Sequence, residues 1–362
     1  MSQSRLARLR ALMDRGGVEA LLLAAPEQLS HANVRYLSGF TGSAAHMLVT
    51  QADAWLVTDF RYFEQAAREA PECQLVRQSG AVTDTLAELV AGAGLRRVGV
   101  EDDKVPVGMY RAWEAAMPTV AFEPTVGLVE QLRLIKDADE LAQMRRAADL
   151  SGRALEALLT AGVRGMTERE LALALEFGMR RLGLDGVGFS TVIGSGPRGS
   201  EPHAHPTDRV IQDGELVTID FGGLSAGYRS DETITVAVGS APERLRTIFD
   251  IVHEAQAAGM EAVRPGALDR DMHRACRRVI EAAGYGEFFG HGSGHGVGLD
   301  VHEPPFAGRD PDHVLKPGMT ITVEPGIYLP GVGGVRIEDT LVVTPGGHER
   351  LTTLAKAWRV LQ

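Results

Sequence analysis

The chain has 362 residues, enough for two domains that each have a core of their own, and its 44% apolar content is ordinary for a globular protein. A formal charge of −11 argues against nonspecific binding to nucleic acid, and no apolar run is long enough to span a membrane. Cys73 and Cys276 lie far apart without CxxC partners, so we expect free thiols. The first residues also lack the apolar stretch of a signal peptide, and we therefore expect a cytoplasmic protein.

The first third of the chain alternates helical and strand-like runs. The patterns predict helices over residues 5–15 and 82–91, and strands over 20–24, 45–50, 54–57 and 97–100. Such alternation is typical of a small α/β domain. Residues 126–135 read as a linker, and we place the domain boundary between residues 128 and 129.

Longer helices and hairpins follow the linker. The patterns predict helices over 137–159, 167–182, 242–263 and 267–283, and strands over 187–194, 216–222, 232–238, 320–323 and 335–343. Thr167 and Glu170 form the sequence signature of a capping box. Helix pairs and hairpins in two similar halves predict an α+β domain with a curved antiparallel sheet backed by helices.

Two segments of this second domain echo each other. Asp220 and Glu324 each follow a turn glycine by six residues and stand at the end of an apolar run. Asp231 and Glu338 each begin a similar run a few residues later, in Asp-Glu-Thr-Ile and Glu-Asp-Thr-Leu. A hairpin would bring Asp220 and Asp231 together across adjacent strands. Four acids on apolar strands repel one another and lose hydration, which is costly unless a cation compensates their charge. The repeated pattern therefore predicts a divalent metal site, and we expect two ions.

A glycine-rich segment, residues 289–305, carries three histidines: His291, His295 and His302. His203 lies upstream, beside His205, for which we assign no role. Imidazole is the usual nitrogen ligand of Zn, Mn or Co and also a good proton-transfer group. Three histidines among glycines, together with the four acids, predict a catalytic metal site.

Five of these residues occur in an order that resembles the dinuclear metal ligands of the M24 metallopeptidases, the pita-bread enzymes. In chain order they are Asp220, Asp231, His295, Glu324 and Glu338. The motifs His-Gly-Ser-Gly-His-Gly-Val-Gly-Leu-Asp-Val-His-Glu-Pro-Pro and Val-Glu-Pro-Gly-Ile-Tyr are similar to those of the proline-specific branch, which includes Xaa-Pro aminopeptidase and Xaa-Pro dipeptidase (prolidase). Asn-Val-Arg-Tyr-Leu-Ser-Gly-Phe-Thr-Gly, from Asn33, resembles the creatinase-type N-terminal domain of that branch.

The resemblance covers nearly the whole chain and implies both fold and cofactor. We expect an α/β creatinase-like domain over residues 1–128, then a pita-bread catalytic domain with a pseudo-twofold repeat over residues 129–362. Two divalent ions per subunit (Mn, Co or Zn) would activate a bridging hydroxide. The expected substrates are small peptides with proline after the first residue, and the expected assembly is a homodimer.

The resemblance also implies roles for single residues. His203, His302, Glu324 and Arg336 match catalytic positions, with Glu324 doubling as ligand and proton shuttle, and His291 matches a further active-site histidine that we assign to substrate binding. Arg309 is the candidate cation for the carboxylate of proline, although it stands one residue from the expected register, where this chain has Asp310. We favour an Xaa-Pro dipeptidase, with an Xaa-Pro aminopeptidase as the alternative.

Two other readings compete with a metallopeptidase. A creatinase-like hydrolase shares the fold but needs no metal, and a non-catalytic pita-bread module would only bind peptides. Both readings are disfavoured because all five ligands are present. Loss of activity on chelation would separate the metal-dependent enzyme from the metal-free one.

Overall fold

A computed structural model describes residues 4–27, 29–309 and 312–361. The chain forms two compact units, one ending at Arg133 and the other beginning at Leu134. Within the described residues, no helix is both long and apolar enough to cross a bilayer.

The N-terminal unit is a six-stranded mixed sheet with helices. Its elements are α1 (Arg5–Arg15), β1 (Ala20–Ala25), α2 (Ala32–Ser38), β2 (Ala45–Thr50), β3 (Ala54–Thr58), α3 (Phe63–Glu69), β4 (Gln74–Arg77), α4 (Val82–Gly92), β5 (Arg97–Glu101), α5 (Val107–Ala116), β6 (Ala121–Thr125) and α6 (Leu128–Arg133). The strand order is β4-β3-β2-β1-β5-β6, antiparallel at β1/β2 and β2/β3 and parallel elsewhere. The predicted α/β alternation is thus present.

The predicted linker contains a helix. Within α6, Val129 and Leu132 are buried, and the Tyr36 hydroxyl donates to the Leu132 carbonyl. Arg133 donates to the side-chain oxygen of Asn33. Because these contacts tie α6 to the first unit, the structural division falls after Arg133, whereas the sequence placed it at 128/129.

The C-terminal unit has four long helices and several small sheets. Its helices are α7 (Ala138–Ala161), α8 (Glu168–Arg181), α9 (Glu243–Ala262) and α10 (Asp269–Ala282). Its strands are β7 (Gly186–Val187), β8 (Val192–Ser195), β9 (Glu215–Phe221), β10 (Gly223–Ser225), β11 (Tyr228–Arg229), β12 (Glu232–Val238), β13 (Gly294–Gly296), β14 (Glu303–Ala307), β15 (Thr320–Val323), β16 (Gly326–Leu329), β17 (Gly333–Arg336), β18 (Asp339–Thr344), β19 (Gly347–Arg350) and β20 (Val360–Leu361).

The two halves of this unit use the same plan. In the first half β9 pairs antiparallel with β12, and in the second β15 pairs antiparallel with β18. The pair α7/α8 packs on a core that contains Ile219 and Val236, while α9/α10 packs on one that contains Ile321 and Leu341. The capping box predicted at Thr167 and Glu170 is present at the start of α8.

Two strands predicted as continuous are interrupted. The run predicted over 187–194 divides into β7, which pairs with β10, and β8, which pairs with β9, because the chain moves from one sheet to another. The run predicted over 335–343 divides into β17 and β18. Between them, Glu338 makes an isolated bridge with Thr233 of the other half. Both interruptions lie beside the predicted site, and the sequence pattern did not reveal them.

Candidate metal centre and active site

Equivalent strand ends position the four predicted acids. Asp220 is the penultimate residue of β9, and Glu324 directly follows β15. Asp231 directly precedes β12, and Glu338 directly precedes β18. The β9/β12 ladder pairs Asp220 with Thr233, so the hairpin expected from the sequence brings Asp220 and Asp231 to the same end of adjacent strands.

Three hydrogen bonds join the two halves at this point. The Glu338 N–H donates to the Thr233 carbonyl over 3.0 Å. The Thr233 hydroxyl donates to Glu338 Oε2 over 2.7 Å. The Thr340 hydroxyl donates to the Asp231 carbonyl over 2.7 Å. The acids of the two repeats therefore meet although more than a hundred residues separate them.

His295 projects from β13 toward these acids. Its Nε2 lies 3.7 Å from Asp231 Oδ2 and 3.5 Å from Glu324 Oε1. Its Nδ1 lies 3.1 Å from the Gly296 carbonyl, which can only accept, so we assign the proton to Nδ1. The unprotonated Nε2 then faces the carboxylates, the arrangement typical of a histidine that binds metal through one nitrogen and is oriented through the other.

Crowded buried acids raise one another's pKa. Burial raises the pKa of Asp231 well above its ordinary value, and the charges of Glu338, Asp220 and Glu324 raise it further. Burial, then Glu324 and Asp220, raise the pKa of Glu338 in the same way. Burial raises the pKa of Glu324 to about 8, against the opposing charge of Arg336. Such a site favours protonation or a bound cation, since isolated like charges in low dielectric are costly.

The buried side chains of this cluster are chemically suitable as ligands for a metal ion. One ligand atom each from Asp231, His295 and Glu338 lies within 4.8 Å of the others, and all three side chains are buried. Asp220 Oδ1 is buried and has no hydrogen-bond partner among the described residues. Burial lowers the pKa of His295 to about 3, so its imidazole is neutral and available as a ligand. These groups fit a divalent cation with oxygen and nitrogen ligands.

Arg336 is the main positive group of the site. It is buried and donates to Asp220 Oδ2 over 2.6 Å. It also donates to the Tyr328 hydroxyl and to the Pro202 carbonyl, each over 3.0 Å. One guanidinium therefore holds an acid, a phenol and the loop that carries His203, which its planar fork of donors permits.

A hydrogen-bonded chain continues from Arg336 to His291. The Tyr328 oxygen accepts from Arg336, and its O–H donates to His291 Nε2 over 2.9 Å. His291 Nδ1 lies 2.7 Å from the Gly292 carbonyl and donates to it. Burial lowers the pKa of His291 to about 4, which agrees with a neutral ring. Both ring nitrogens are thus engaged, so a contact between His291 and substrate would use its ring carbons.

Three further predicted residues lie at the exposed side of the site. The His302 ring centroid is 4.2 Å from that of His295. His203 is close enough for its charge to act on the pKa of both His291 and His302, although burial has the larger influence on each. Arg309 lies over the Phe306 ring at 5.6 Å. Burial dominates the pKa of Glu324 and His302, but the Arg309 charge lowers both. Asp310, the residue at the expected register, lies outside the described residues.

Sequence reasoning assigned no role to two residues that the structure places in the site. Tyr328 links His291 to Arg336, and Thr233 donates to Glu338 and accepts from Arg336 Nε over 3.3 Å. Tyr328 belongs to the quoted Val-Glu-Pro-Gly-Ile-Tyr motif, which was the available signal. Thr233 follows Asp231 by two residues, so strand alternation places both on one face, but such a threonine is common in strands.

Comparison with known proteins agrees with this geometry. Residues 142–345 match the family model for metallopeptidase family M24, and residues 5–135 match that for the creatinase/prolidase N-terminal domain. The chain is 35% identical over 341 residues to an Xaa-Pro dipeptidase of Pyrococcus horikoshii, which covers 94% of each chain.

Solved structures of proline-specific peptidases are also similar to this chain over nearly its full length. An Xaa-Pro dipeptidase from Bacillus anthracis superposes with a TM-score of 0.94 at 39% identity, covering 99% of each chain. An X-Pro aminopeptidase from Thermotoga maritima gives 0.92 at 34% identity, covering 99% of this chain and 100% of the other. The expected fold, a creatinase-like N-terminal domain followed by a pita-bread domain, is confirmed. The chain therefore belongs to metallopeptidase family M24 and is a metal-dependent peptidase.

Proposed function

We propose that the chain cleaves the peptide bond before proline and acts mainly on dipeptides, as an Xaa-Pro dipeptidase. The observation that carries this proposal is the buried cluster in which His295 Nε2 faces Asp231 and Glu324 while Glu338 and Asp220 crowd beside them. The similarity to Xaa-Pro dipeptidases over nearly the full length of the chain supports the substrate class.

We assign the five predicted ligands, Asp220, Asp231, His295, Glu324 and Glu338, to two divalent ions, with Mn, Co and Zn as candidates. Four ionised carboxylates carry as much negative charge as two divalent ions carry positive charge, so two ions would leave the cluster balanced. Cations held there lower the pKa of a bound water and polarise a carbonyl oxygen.

The protein's own residues would handle the proton and the carbonyl. Glu324 is the most exposed of the four acids, with 18% of its side chain accessible against 16% for Asp220 and 6% for Asp231. We assign it to carry a proton from the attacking water to the departing proline nitrogen. His302 and His203 stand at the exposed side, where an imidazole N–H can donate to the carbonyl oxygen as it gains charge.

Arg336 acts in this scheme by holding Asp220 and Tyr328 in place, and His291 completes that chain of hydrogen bonds. The peptide bond before proline has no N–H. Recognition therefore depends on the carbonyl and on the two ends of the substrate, and not on the strand-like pairing that other peptide bonds allow.

Arg309 is the residue we assign to the proline carboxylate of a dipeptide. Its exposed guanidinium lies close enough to act on the pKa of Glu324 and His302, and a carboxylate is the partner its planar fork binds well. A longer substrate has no carboxylate at this point, so Arg309 is also the residue that separates dipeptidase from aminopeptidase.

The first experiment compares hydrolysis of Ala-Pro and Ala-Pro-Ala by enzyme loaded with Mn, Co or Zn. We expect cleavage of the dipeptide and little of the tripeptide, with loss of activity on chelation. Arg309→Met should raise KM for Ala-Pro, whereas Arg153→Met, which removes an exposed arginine of α7, should leave it unchanged.

Preference for the tripeptide would make the enzyme an Xaa-Pro aminopeptidase and remove the role of Arg309. That alternative is supported by the similarity to the Thermotoga maritima aminopeptidase structure. Cleavage of neither peptide with any of the three metals would contradict both assignments and favour a peptide-binding role.

A homodimer and a cytoplasmic location complete the proposal. The two cysteines, Cys73 and Cys276, are free thiols, which suits a reducing compartment. Sedimentation velocity at micromolar concentration would test the dimer directly.

A further inference from the structure

Each acid that directly precedes a strand of the metal cluster is followed by a second buried acid. Glu232 follows Asp231, and Asp339 follows Glu338. Both following residues are fully buried. Because side chains alternate along a strand, these two acids point away from the metal-facing side of β12 and β18.

One lysine lies between these two acids. Lys356 Nζ is 2.5 Å from Glu232 Oε1 and 3.6 Å from Asp339 Oδ1, and only 3% of the lysine side chain is exposed. An ammonium at this depth must be paired to remain charged, and here its partners come from both halves of the unit.

The segment around Lys356 adds two more contacts. The Leu354 N–H donates to Glu232 Oε1 over 3.2 Å, and the Thr352 hydroxyl donates to Asp339 Oδ1 over 2.6 Å. Asp339 Oδ2 also accepts from Gln256 and, at 3.4 Å, from Arg350. Glu232 Oε2 has no hydrogen-bond partner within the described part of the chain, so Glu232 depends on Lys356 more than Asp339 does.

The contact matters because β12 and β18 belong to different sheets. Their direct backbone connection is the isolated bridge between Thr233 and Glu338. A small slide of one strand against the other would separate Asp231 from Glu338, whose ligand atoms lie within 4.8 Å of one another. An ionic contact that spans both strands one residue behind the ligands resists that slide.

We propose that Lys356 is a positioning residue of the metal site, which fixes Asp231 against Glu338 by bridging Glu232 and Asp339 on the opposite side of their strands. This inference rests on the metal-binding role proposed for Asp231 and Glu338. Among the described residues the ammonium of Lys356 pairs with Glu232 and Asp339 and not with Asp231 or Glu338, so it acts through the strands and through the two acids.

The test measures Co²⁺ affinity of the metal-free protein by visible absorption, beside the thermal unfolding midpoint. Lys356→Met should weaken Co²⁺ binding by about 10- to 100-fold, the usual range for residues that orient metal ligands, and should change the absorption spectrum. Lys356→Arg keeps the charge and should retain more of the affinity than Lys356→Met does.

A second variant separates positioning from simple charge balance. Lys356→Met combined with Glu232→Gln removes the unpaired buried carboxylate, and it should recover much of the unfolding midpoint while Co²⁺ affinity stays low. Recovery of both properties would overturn the proposal, because balance of charge alone would then explain the effect. The double variant also serves if Lys356→Met alone does not fold.

Two controls complete the design. Arg359→Met removes another ion pair of the same C-terminal segment, and its partner at 2.7 Å, Glu156, belongs to α7 and not to β12 or β18. Leu159→Ala lowers stability through the apolar core. Both should bind Co²⁺ as the unaltered protein does. Unaltered affinity and spectrum in Lys356→Met would overturn the inference, whereas absence of Co²⁺ binding in the unaltered protein would refute the proposed function itself.

Discussion

The two sides of strands β12 and β18 both carry buried acids, but the charge of these acids is balanced differently on each side. On one side Asp231 and Glu338 are buried beside other acids, and burial with like charge raises the pKa of both. On the other side burial also raises the pKa of Glu232, but the charge of Lys356 opposes it. Lys356 supplies a positive charge to Glu232 and Asp339, whereas the charge that would balance Asp231 and Glu338 is assigned mainly to the proposed metal ions. Adjacent residues of one strand can therefore serve binding and structure separately.

The largest effect should come from removing one of the acids proposed as metal ligands. Asp231→Ala or Glu338→Ala should abolish both metal binding and hydrolysis of Ala-Pro while the far-UV circular dichroism stays the same. In the metal-free protein the unfolding midpoint should not fall, because the change removes an uncompensated buried carboxylate. Glu349→Ala, on the surface of the same half, is the matched control. A fully active variant lacking both acids would refute the metal site.

A smaller effect should follow from removing the positive group of the site. Arg336→Met leaves Asp220 without its 2.6 Å partner and removes the donor to the Tyr328 oxygen, so we expect kcat/KM to fall by about 10- to 100-fold. Arg336→Lys should restore little, since one ammonium cannot reproduce the forked contacts. Steady-state kinetics at saturating metal measures this, and full activity of Arg336→Lys would contradict the role of the fork.

A still smaller effect is expected from weakening the contacts that hold the loop carrying His203. Glu168 is fully buried and accepts hydrogen bonds from Ser195, Arg198 and Thr207. Glu168→Gln replaces one acceptor by a donor, which should lower the unfolding free energy by about 1–3 kcal/mol. We expect KM to rise with Co²⁺ affinity unchanged. The control is Arg169→Ala, which removes only an exposed ion pair.

Glu101 extends the comparison to a buried acid far from any predicted ligand in sequence. Burial, and then the charge of Glu130, raise its pKa to about 8 from an ordinary 4.5, although Asn33 donates to it. Across that window the folded protein holds a proton that the unfolded chain has lost, so stability should fall as pH rises from 4.5 to 8.

Glu101→Gln should remove this slope and stabilise the protein at pH 8, with activity unaffected. Each pKa unit corresponds to about 1.4 kcal/mol, so even part of the shift is measurable by denaturant unfolding at pH 5 and pH 8. Identical slopes in both proteins would mean that Glu101 is ionised in the folded state.

Local patterns predicted much of the fold. The helix over Arg5–Arg15 and the strands over Glu232–Val238 and Thr320–Val323 occur as expected, because each combines a clear apolar period with turn residues at its ends. The sequence pattern over residues 126–135 predicted a linker and did not reveal α6, since this helix is short and its burial depends on distant partners such as Tyr36. The breaks at 188–191 and 337–338 were also hidden, because a change of sheet leaves the strand pattern intact.

The sequence by itself determined which residues could form the metal cluster. The repeated spacing of acids after turn glycines, with His295 between the repeats, is a local property of the chain that predicted a divalent metal site, and the resemblance of these residues and their flanking motifs to the M24 metallopeptidases indicated the family. Only the tertiary structure decided how these groups meet. Thr233 contacts Glu338 across more than a hundred residues, Tyr328 joins His291 to Arg336, and Lys356 pairs with acids of both strands that begin beside the proposed ligands Asp231 and Glu338. Contacts between distant segments depend on the packing of the two halves, which no local pattern encodes.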